Sequence, residues 1–520
     1  MNYKEQAEKL SHDQVAKVLA ENDVLSAKIA SVESQLAWFK RQLFGQKSER
    51  YTDYDPNVHQ YDLFSDELKK ELEPIPPVQR TEVAPHTRTK KRLPDTPDGS
   101  GLRFSADVPL QTIYVPCPLL EQHPNEYEQI GEDITYRLAQ RPAAYEVLKY
   151  VRKVIKKIET REIISTPAPS NVFERSQFDV SFIVGIMVDK FEFHLPLYRQ
   201  HLRIGKAGIL VSRNTLSNLV YKAAELLRPI YLALLSSVLL SKVLAMDETT
   251  IKAGRGVPGK MKTGYFWPMY GDQDELVFHF APTRATSVLY EVLDGFKGIL
   301  ICDGYSAYEK YSNKSGDVSR AQCWGHARRP FENALKMEPV EADIALNMIG
   351  MLYKCEEKIK KRKLVGEKKR LYREKYSKEI VDQFFTWVKE QRQRPDLIKT
   401  NPLTKALLYV ESREKALRVF LENPDVPIDN NHIERGLRPI PMGRKNWLFC
   451  WTEIGAEHTA IIQSLIETCK LHGVNSYDYL TDVLLRVGLH PASKVDELTP
   501  RNWKEKFANN PMKSDLYMGQ

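Results

Sequence analysis

SKVLAMDETTIKA, residues 241–253, contains a short apolar run that stops at an acidic residue, Asp247. Four apolar residues bounded by polar ones predict a buried β-strand. Asp is a poor strand residue, and holding it at the edge of a core is costly unless it is paired or bound to a metal. A second run, GFKGILICDGYSAY (residues 295–308), has the same form and stops at Asp303. Two strands that end in carboxylates are therefore the first candidate site.

The segments around these runs predict an α/β centre. Residues 265–282, YFWPMYGDQDELVFHFAP, predict two more strands joined by a GDQDE turn. Residues 320–336 and 340–424 predict helices, and Lys354–Lys378 holds twelve Lys and Arg against four Glu. A further helix is expected over residues 455–470, and the polar tail after Pro491 is expected to be peripheral.

A third carboxylate stands in DNNHIERGLRPIPMGRKNW, residues 429–447, where Asp429 and Glu434 precede a group of cations. One interpretation is a structural salt-bridge network. The other is a metal-held carboxylate that faces a polyanion, because Mg²⁺ takes carboxylate oxygens and leaves other positions to water and phosphate. Two such ions, about 4 Å apart, serve phosphodiester chemistry. The residues alone leave both interpretations open, as they leave ordinary turn or cap roles for Asp247 and Asp303.

The N-terminal residues 1–50 show a heptad pattern, with Val15 at a, Val18 at d and Asn22 at the next a position. A buried polar residue at a fixes register and oligomer state, so the pattern predicts a coiled coil that associates with itself. A single amphipathic helix packed on its own domain is the alternative. Residues 51–101 are rich in Pro, Thr and basic residues, which predicts a linker.

Residues 102–170 are rich in β-branched and aromatic residues and predict a small β module. Cys117 and His123 stand close together there, but a closed structural zinc site needs four ligands. No zinc site is predicted.

Residues 171–240 predict a helix, a turn with Gly205 and Gly208, and a second helix capped by Ser212. This order is typical of a helix-turn-helix, whose second helix enters the major groove of DNA. An ordinary helical hairpin has the same pattern. The candidate DNA-reading residues at the start of the second helix are Arg213, Asn214, Thr215 and Asn218.

Bulk properties agree with a chain that works inside a cell. The net charge is 76 − 68 = +8, and the six cysteines are scattered, which is typical of free thiols in a reducing compartment. No signal-peptide pattern opens the sequence, and no apolar run reaches the length of a membrane span. The sequence therefore predicts a cytoplasmic protein without a membrane partner.

Seven phrases together resemble the transposases of the insertion-sequence-66 family of bacterial mobile elements. They occur in the family's order from about residue 38 to about residue 485: WFKRQLFGQKSER, FHLPLYRQ, MDETTIK, CDGYSAY, CWGHARRPFENA, DNNHIERGLRPIPMGRKNWLF and QSLIETCKLHGVNSYDYLTDVL. Each phrase alone is weak, whereas the ordered set is specific. The family usually has a Cys-rich zinc module, of which this chain retains Cys117 alone.

The resemblance implies a DDE transposase, a multidomain α+β protein with a ribonuclease-H-like catalytic domain. That domain would comprise residues 241–337 and 426–490, interrupted by a basic helical insertion at 338–425 and followed by a C-terminal tail at 491–520. It implies that Mg²⁺, as two ions with Mn²⁺ able to substitute, is held by three catalytic carboxylates, Asp247, Asp303 and Glu434. Beside Glu434 stand two motif residues, Asn431 and Arg435.

The resemblance also implies double-stranded DNA partners, namely the element's terminal repeats and target DNA. Accessory proteins of the same element and a location at the bacterial nucleoid are further expectations. Arg suits bidentate phosphate contact, so four cations are expected on the DNA backbone: Arg435, Arg438, Arg444 and Lys445. Trp447 is expected either to stack on a base or to lie in the core.

His326, Arg328 and Arg329 belong to CWGHARRPFENA and are expected near the site, or alternatively as a helix face paired with acidic neighbours. Two rival functions share parts of this pattern. A ribonuclease-H-like nuclease would lack the joining step, and a non-catalytic DNA-binding protein would have no use for three carboxylates in this order.

Overall fold

The computed structural model describes residues 102–517, apart from residues 107, 142–143, 175 and 257–259. The coiled coil expected over residues 1–50 and the linker over 51–101 lie outside the described residues. Within the described ranges, every helix is too short or too polar to span a lipid bilayer.

The first part of the described chain is a small sheet, as its β-branched and aromatic residues predict. A long strand, β4, pairs antiparallel with β3 along one edge. Along its other edge it pairs parallel with β2 and antiparallel with β5. A short helix, α1 (Pro118–Gln122), connects β2 to β3. The strands are β1 (Arg103–Phe104), β2 (Leu110–Val115), β3 (Tyr127–Arg141), β4 (Ala144–Lys157) and β5 (Ile163–Ser165). Cys117 is buried before α1, whereas the exposed His123 lies 3.6 Å from Glu126.

A group of helices follows, made of α2 (Val180–Phe191), α3 (Leu197–Lys206) and α4 (Arg213–Leu239). The apolar α2 is almost wholly buried. The turn between α3 and α4 contains Gly208 at φ +81°, where an added Cβ would meet the Ser105 side chain. The turn leads into a two-residue strand, β6 (Ile209–Leu210), which pairs with β1.

The central sheet has the strand order β10-β9-β7-β11-β12. A sixth strand, β8, pairs antiparallel with β9 beyond the end of β7. β9 runs antiparallel to both β10 and β7, whereas β11 and β12 run parallel to β7. Two helices cross between strands, α5 (Thr286–Val292) before β11 and α6 (Ser306–Ser315) after it. The six strands are β7 (Val243–Met246), β8 (Thr249–Arg255), β9 (Met261–Tyr270), β10 (Leu276–Ala281), β11 (Gly298–Cys302) and β12 (Val318–Gln322).

β12 corrects one prediction from the sequence. Residues 320–336 were expected to be helical, but the helix, α7 (Trp324–Ala334), begins only after Gln322. Ala321 and Gln322 are buried where β12 pairs with β11. Pairing with an existing strand therefore outweighs the local helical pattern.

Helices occupy residues 339–422, between α7 and the segment that returns to the sheet, and this stretch is called the insertion below. Its core is rich in aromatic residues, with Trp324 packed edge-on against Phe384 and its indole nitrogen donating to the Leu417 carbonyl at 2.9 Å. A π-helical turn, Arg373–Ser377, joins α9 to α10. The helices are α8 (Pro339–Lys361), α9 (Gly366–Tyr372), α10 (Lys378–Arg392), α11 (Pro402–Glu411) and α12 (Glu414–Glu422).

The chain then returns to the central sheet through α13 (Asn431–Leu437), α14 (Pro439–Trp447), α15 (Glu453–Leu471) and α16 (Ser476–Arg486). α15 lies against β10, and the hydroxyls of Ser464 and Thr468 accept hydrogen bonds from backbone N–H groups of that strand at 2.8 and 3.1 Å. These hydroxyls satisfy polar backbone groups at a buried contact.

The C-terminal tail is not peripheral, contrary to the expectation from its polar composition. Trp503, on α17 (Pro500–Lys506), is buried, and its indole nitrogen donates to Asp482 at 2.7 Å. Further on, Leu516 is buried, and Asp515 accepts a hydrogen bond from the Tyr150 hydroxyl at 2.8 Å. A few large side chains therefore anchor a segment whose average composition is polar.

Arg373 ties the insertion to the segment that returns to the sheet. Its guanidinium is fully buried, donates to both oxygens of Glu356 at 2.8 Å, and donates to the carbonyls of Phe420 and Val426 at 2.6 and 3.0 Å. Replacing one partner of a buried ion pair leaves the other charge uncompensated.

Arg373→Met should therefore lower the free energy of unfolding by about 3 kcal/mol, measured by urea denaturation. The matched control is Arg370→Met, because Arg370 pairs with Glu367 on the exposed surface of the same insertion. That control should leave the stability nearly unchanged. Equal stability of the two variants would contradict the anchoring role of Arg373.

Candidate active site

Asp247 and Asp303 are brought side by side by the parallel pairing of β7 and β11. Ala245 of β7 is the register partner of Ile301 of β11. Asp247 and Asp303 come two residues after these partners, just beyond the strand ends, so continuing the register sets them opposite each other. The carboxyl ends of neighbouring parallel strands are where open α/β sheets bind ligands.

The two aspartates form an acidic cluster with Glu248. Carboxylate oxygens of Asp247, Glu248 and Asp303 all lie within 4.8 Å of one another, and each residue is partly buried. Burial, with smaller contributions from the charges of Glu248, Asp303 and Glu434, raises the pKa of Asp247 to about 7. Burial also raises the pKa of Glu248, assisted by the charge of Asp303. Crowded carboxylates of this kind favour a cation among them.

Asp247 and Asp303 each retain one carboxylate oxygen for a ligand. Asp247 Oδ1 accepts from the Glu248 backbone N–H at 2.8 Å, and Asp303 Oδ1 accepts from the Tyr305 N–H at 2.8 Å. In the described part of the chain, neither Oδ2 atom has a hydrogen-bond partner. Two carboxylate oxygens at one strand edge fit a hard divalent cation such as Mg²⁺.

Glu248 differs because both of its oxygens are engaged by the protein. The Tyr308 hydroxyl donates to Oε2 at 2.7 Å, and the Arg284 guanidinium pairs with Oε1. Arg284 also lies over the Tyr305 ring, 3.8 Å from its centroid. Glu248 therefore orients its neighbours more than it offers a free ligand oxygen.

Glu434, on α13, is not one of the three clustered carboxylates. Arg329 on α7 donates to both of its oxygens, at 2.7 and 2.9 Å. His326, one helical turn before Arg329, has its Nε2 atom 3.6 Å from Glu434 Oε1. Burial lowers the pKa of His326, and the positive charge of Arg329 lowers it further. In this structure Glu434 therefore forms a salt bridge with Arg329.

An open groove adjoins Asp303 and is lined by side chains from the sheet ends, α7 and the insertion. Its main lining residues are Arg284, Asp303, Tyr305, His326, Arg329 and Tyr409. Arg413 stacks over the Tyr409 ring at 4.1 Å and donates to the Gly304 carbonyl at 2.9 Å. The groove therefore has cations close to its carboxylates.

The predicted phosphate-binding cations fall into two groups. Arg435, Arg438 and Lys445 are exposed, and none of them forms an ion pair with another described residue. Arg444 is half-buried and donates to the Thr250 hydroxyl at 2.9 Å and to its carbonyl. Arg444 thus ties α14 to β8, whereas the other three are available to a ligand.

Other predicted neighbours of the site have structural partners. Asp429 accepts from the Asn431 backbone N–H at 3.1 Å and from its side-chain amide at 2.6 Å, which is the geometry of an Asx turn just before α13. Arg328 lies 3.2 Å from Glu332 on its own helix. Trp447 is partly buried and packs against a core shared by the central sheet and the insertion.

The candidate DNA-reading residues lie at the start of α4, whose first turn is capped by Ser212. Arg213, Asn214 and Asn218 are exposed, and Thr215 is half-buried. The Arg213 guanidinium lies 5.6 Å from the centre of the Tyr198 ring on α3. Within the described part of the chain, none of these four residues belongs to the acidic cluster of Asp247, Glu248 and Asp303.

Sequence reasoning missed Glu248, Arg284 and Tyr308. Two consecutive acidic residues at the end of an apolar strand were a usable signal for Glu248. Arg284 and Tyr308 carry no such signal, because only the folded sheet brings them to Glu248.

Comparison with known families accounts for most of the chain. A family model described as Transposase IS66 family matches residues 175–458, more than half of the 520 residues. A model described as IS66 C-terminal element matches residues 464–501. A third, described as Transposase C of IS166 homeodomain, matches residues 31–96, which lie outside the described part.

Curated relatives occur in Sinorhizobium fredii (strain NBRC 101917 / NGR234). The uncharacterized protein y4hP is 29% identical over 408 residues, which cover 74% of this chain and 73% of that protein. The uncharacterized protein y4qI is 28% identical over 511 residues, which cover 94% and 92%. Because the principal family model covers more than half of the residues, the chain belongs to the IS66 transposase family.

Proposed function

We propose that the chain is a DDE transposase that binds the ends of a mobile element and catalyses metal-dependent DNA cleavage and strand transfer. The observation that carries this proposal is the convergence of Asp247 and Asp303, each with an open oxygen, beside a groove lined by cations. Membership of the IS66 transposase family and the match to a homeodomain model support a DNA substrate.

The topology of the central sheet supports a ribonuclease-H-like catalytic domain. Three antiparallel strands are followed by two parallel ones, and β7, the first in sequence, lies at the middle of the sheet. The helical insertion separates β12 from α13, so the two acidic strand ends and Glu434 come from distant parts of the chain.

Asp247, Asp303 and Glu434 would hold the divalent ions, Mg²⁺ or Mn²⁺ in its place. When bound, two such ions supply positive charge at the attacking and leaving oxygens of an in-line displacement at phosphorus. Arg435, Arg438 and Lys445 would hold the DNA backbone by charge-assisted hydrogen bonds. Cleavage leaves a 3′-OH whose oxygen then bonds to a target phosphorus as the target P–O bond breaks, so one site serves both steps.

The segment α3–turn–α4 is proposed as the helix-turn-helix that recognises the terminal repeats. Its exposed polar tip supports this role, since the N-terminal residues of a recognition helix contact base edges. Self-association through residues 1–50 and cooperation with accessory proteins remain predictions.

Asp247→Ala, Asp303→Ala and Glu434→Ala should each abolish cleavage and joining while leaving end binding intact, because binding uses other residues. The assay is cleavage of DNA that carries the element ends, followed by strand transfer of a pre-cut end. Full activity in any one variant would remove that residue from the site. Cleavage without joining by the wild-type protein would favour a nuclease.

Asp247→Asn should stabilise the metal-free protein at neutral to alkaline pH. An acid whose pKa is raised in the folded state destabilises folding once it ionises in the unfolded chain. The loss of folding free energy therefore grows as the pH rises from about 4 to about 7, which is the pKa of Asp247 in the folded state, and is then constant. In EDTA, we expect the variant to melt at least about 2 °C above the wild type at pH 8, with a smaller gain at pH 5. An equal gain at both pH values would contradict the raised pKa of Asp247.

Changing Arg213 and Asn214 to Ala should weaken binding to the terminal repeats more than binding to random DNA. Base-edge contacts carry sequence preference, whereas phosphate contacts do not. Fluorescence anisotropy with the two DNA types at one salt concentration measures the ratio. An unchanged preference would refute the helix-turn-helix assignment.

A further inference from the structure

Of the three proposed metal carboxylates, Glu434 is the one whose oxygens are both occupied. The Arg329 Nη2 atom donates to Oε1 at 2.7 Å and to Oε2 at 2.9 Å. Asp247 and Asp303, by contrast, each keep one oxygen without a partner among the described residues. Glu434 nevertheless lies close to the groove beside Asp303, because its Oε1 atom is 3.6 Å from the Nε2 atom of His326, which lines that groove.

Arg329 is placed to exchange this carboxylate for another anion. Its side chain is 54% exposed, against 29% for Glu434, and it lines the groove beside Asp303. Nη2 makes both contacts, while Nε and Nη1 have no hydrogen-bond partner within the described chain. A guanidinium binds phosphate with the same fork geometry that it offers a carboxylate.

The strength of the pair permits such an exchange. A half-exposed ion pair is worth little net free energy, because water solvates both charges when they separate. A DNA backbone presents closely spaced phosphates, which compete effectively for one arginine.

We propose that Arg329 is a latch that holds Glu434 away from the metal site until DNA arrives. A backbone phosphate of bound DNA takes the Arg329 guanidinium, and the released Glu434 carboxylate turns towards Asp247 and Asp303. This inference rests on the proposed function, since it treats Glu434 as the third metal carboxylate. Metal and DNA then favour each other's binding, and the site is completed only on its substrate.

The test is the Mn²⁺ dissociation constant of the full-length, DNA-free protein, measured by electron paramagnetic resonance of free Mn²⁺. Arg329→Gln should tighten Mn²⁺ binding by about two- to fivefold, the range that a half-exposed ion pair supports. The gain should disappear in the Glu434→Gln background. Unchanged or weaker binding would overturn the latch. So would a gain that persists without Glu434, because it would reflect only the lost positive charge.

The matched control is Arg370→Gln. Arg370 also holds a glutamate by two hydrogen bonds, to Glu367 at 2.6 and 2.9 Å, but on the helical insertion. It should bind Mn²⁺ like the wild type, and equal tightening in this control would refute a specific latch.

Asp247→Asn and Asp303→Asn separate failure of the latch from failure of the proposed function. Both should lose Mn²⁺ binding. If they bind Mn²⁺ normally, the metal site itself is refuted. If they lose it while Arg329→Gln gives no gain, the latch alone is refuted.

DNA binding in EDTA gives the reciprocal readout. Glu434→Gln frees Arg329, so it should bind a short random-sequence duplex more tightly than the wild type does. Adding Arg329→Gln should cancel that gain, and a gain that survives would contradict the exchange.

Discussion

The parallel pairing of β7 with β11 is the constraint on which the candidate site depends. It sets Asp247 opposite Asp303, and the burial of both strands keeps these carboxylates in a partly dry environment. Burial raises the pKa of Asp247, and repulsion from the neighbouring carboxylates adds to that rise. The sheet therefore maintains an arrangement that is unfavourable for the bare protein and favourable for one that holds a cation.

The rest of the molecule positions Glu434 on α13, which we propose as a third metal carboxylate. α13 reaches the site only after the chain has passed through the insertion, where Arg373 fixes the returning segment. The Trp324 backbone N–H donates to the Ile428 carbonyl at 3.0 Å, which connects the start of α7 to the segment before α13. Arg329 and Glu434 consequently face each other from two helices whose relative position is set by packing. Packing of the helices positions the Glu434 carboxylate, and the salt bridge to Arg329 restrains it.

Local patterns predicted the strand ends well. The apolar runs before Asp247 and Asp303 became β7 and β11, and the GDQDE turn lies between β9 and β10. The predictions from sequence were wrong where tertiary contacts determine the secondary structure or the burial of a segment. β12 replaced the start of an expected helix because a parallel partner was available, and the polar tail is anchored by Trp503 and Leu516. Glu434 was identified by its motif, yet its pairing with Arg329 spans 105 residues and has no local signature.

The most direct test of the account is anomalous X-ray diffraction from crystals of the protein bound to DNA and soaked in Mn²⁺. The account predicts an anomalous peak coordinated by the second oxygens of Asp247 and Asp303, with Glu434 turned from Arg329 towards the ion. Mn²⁺ bound elsewhere, with the strand-end carboxylates unliganded, would contradict it.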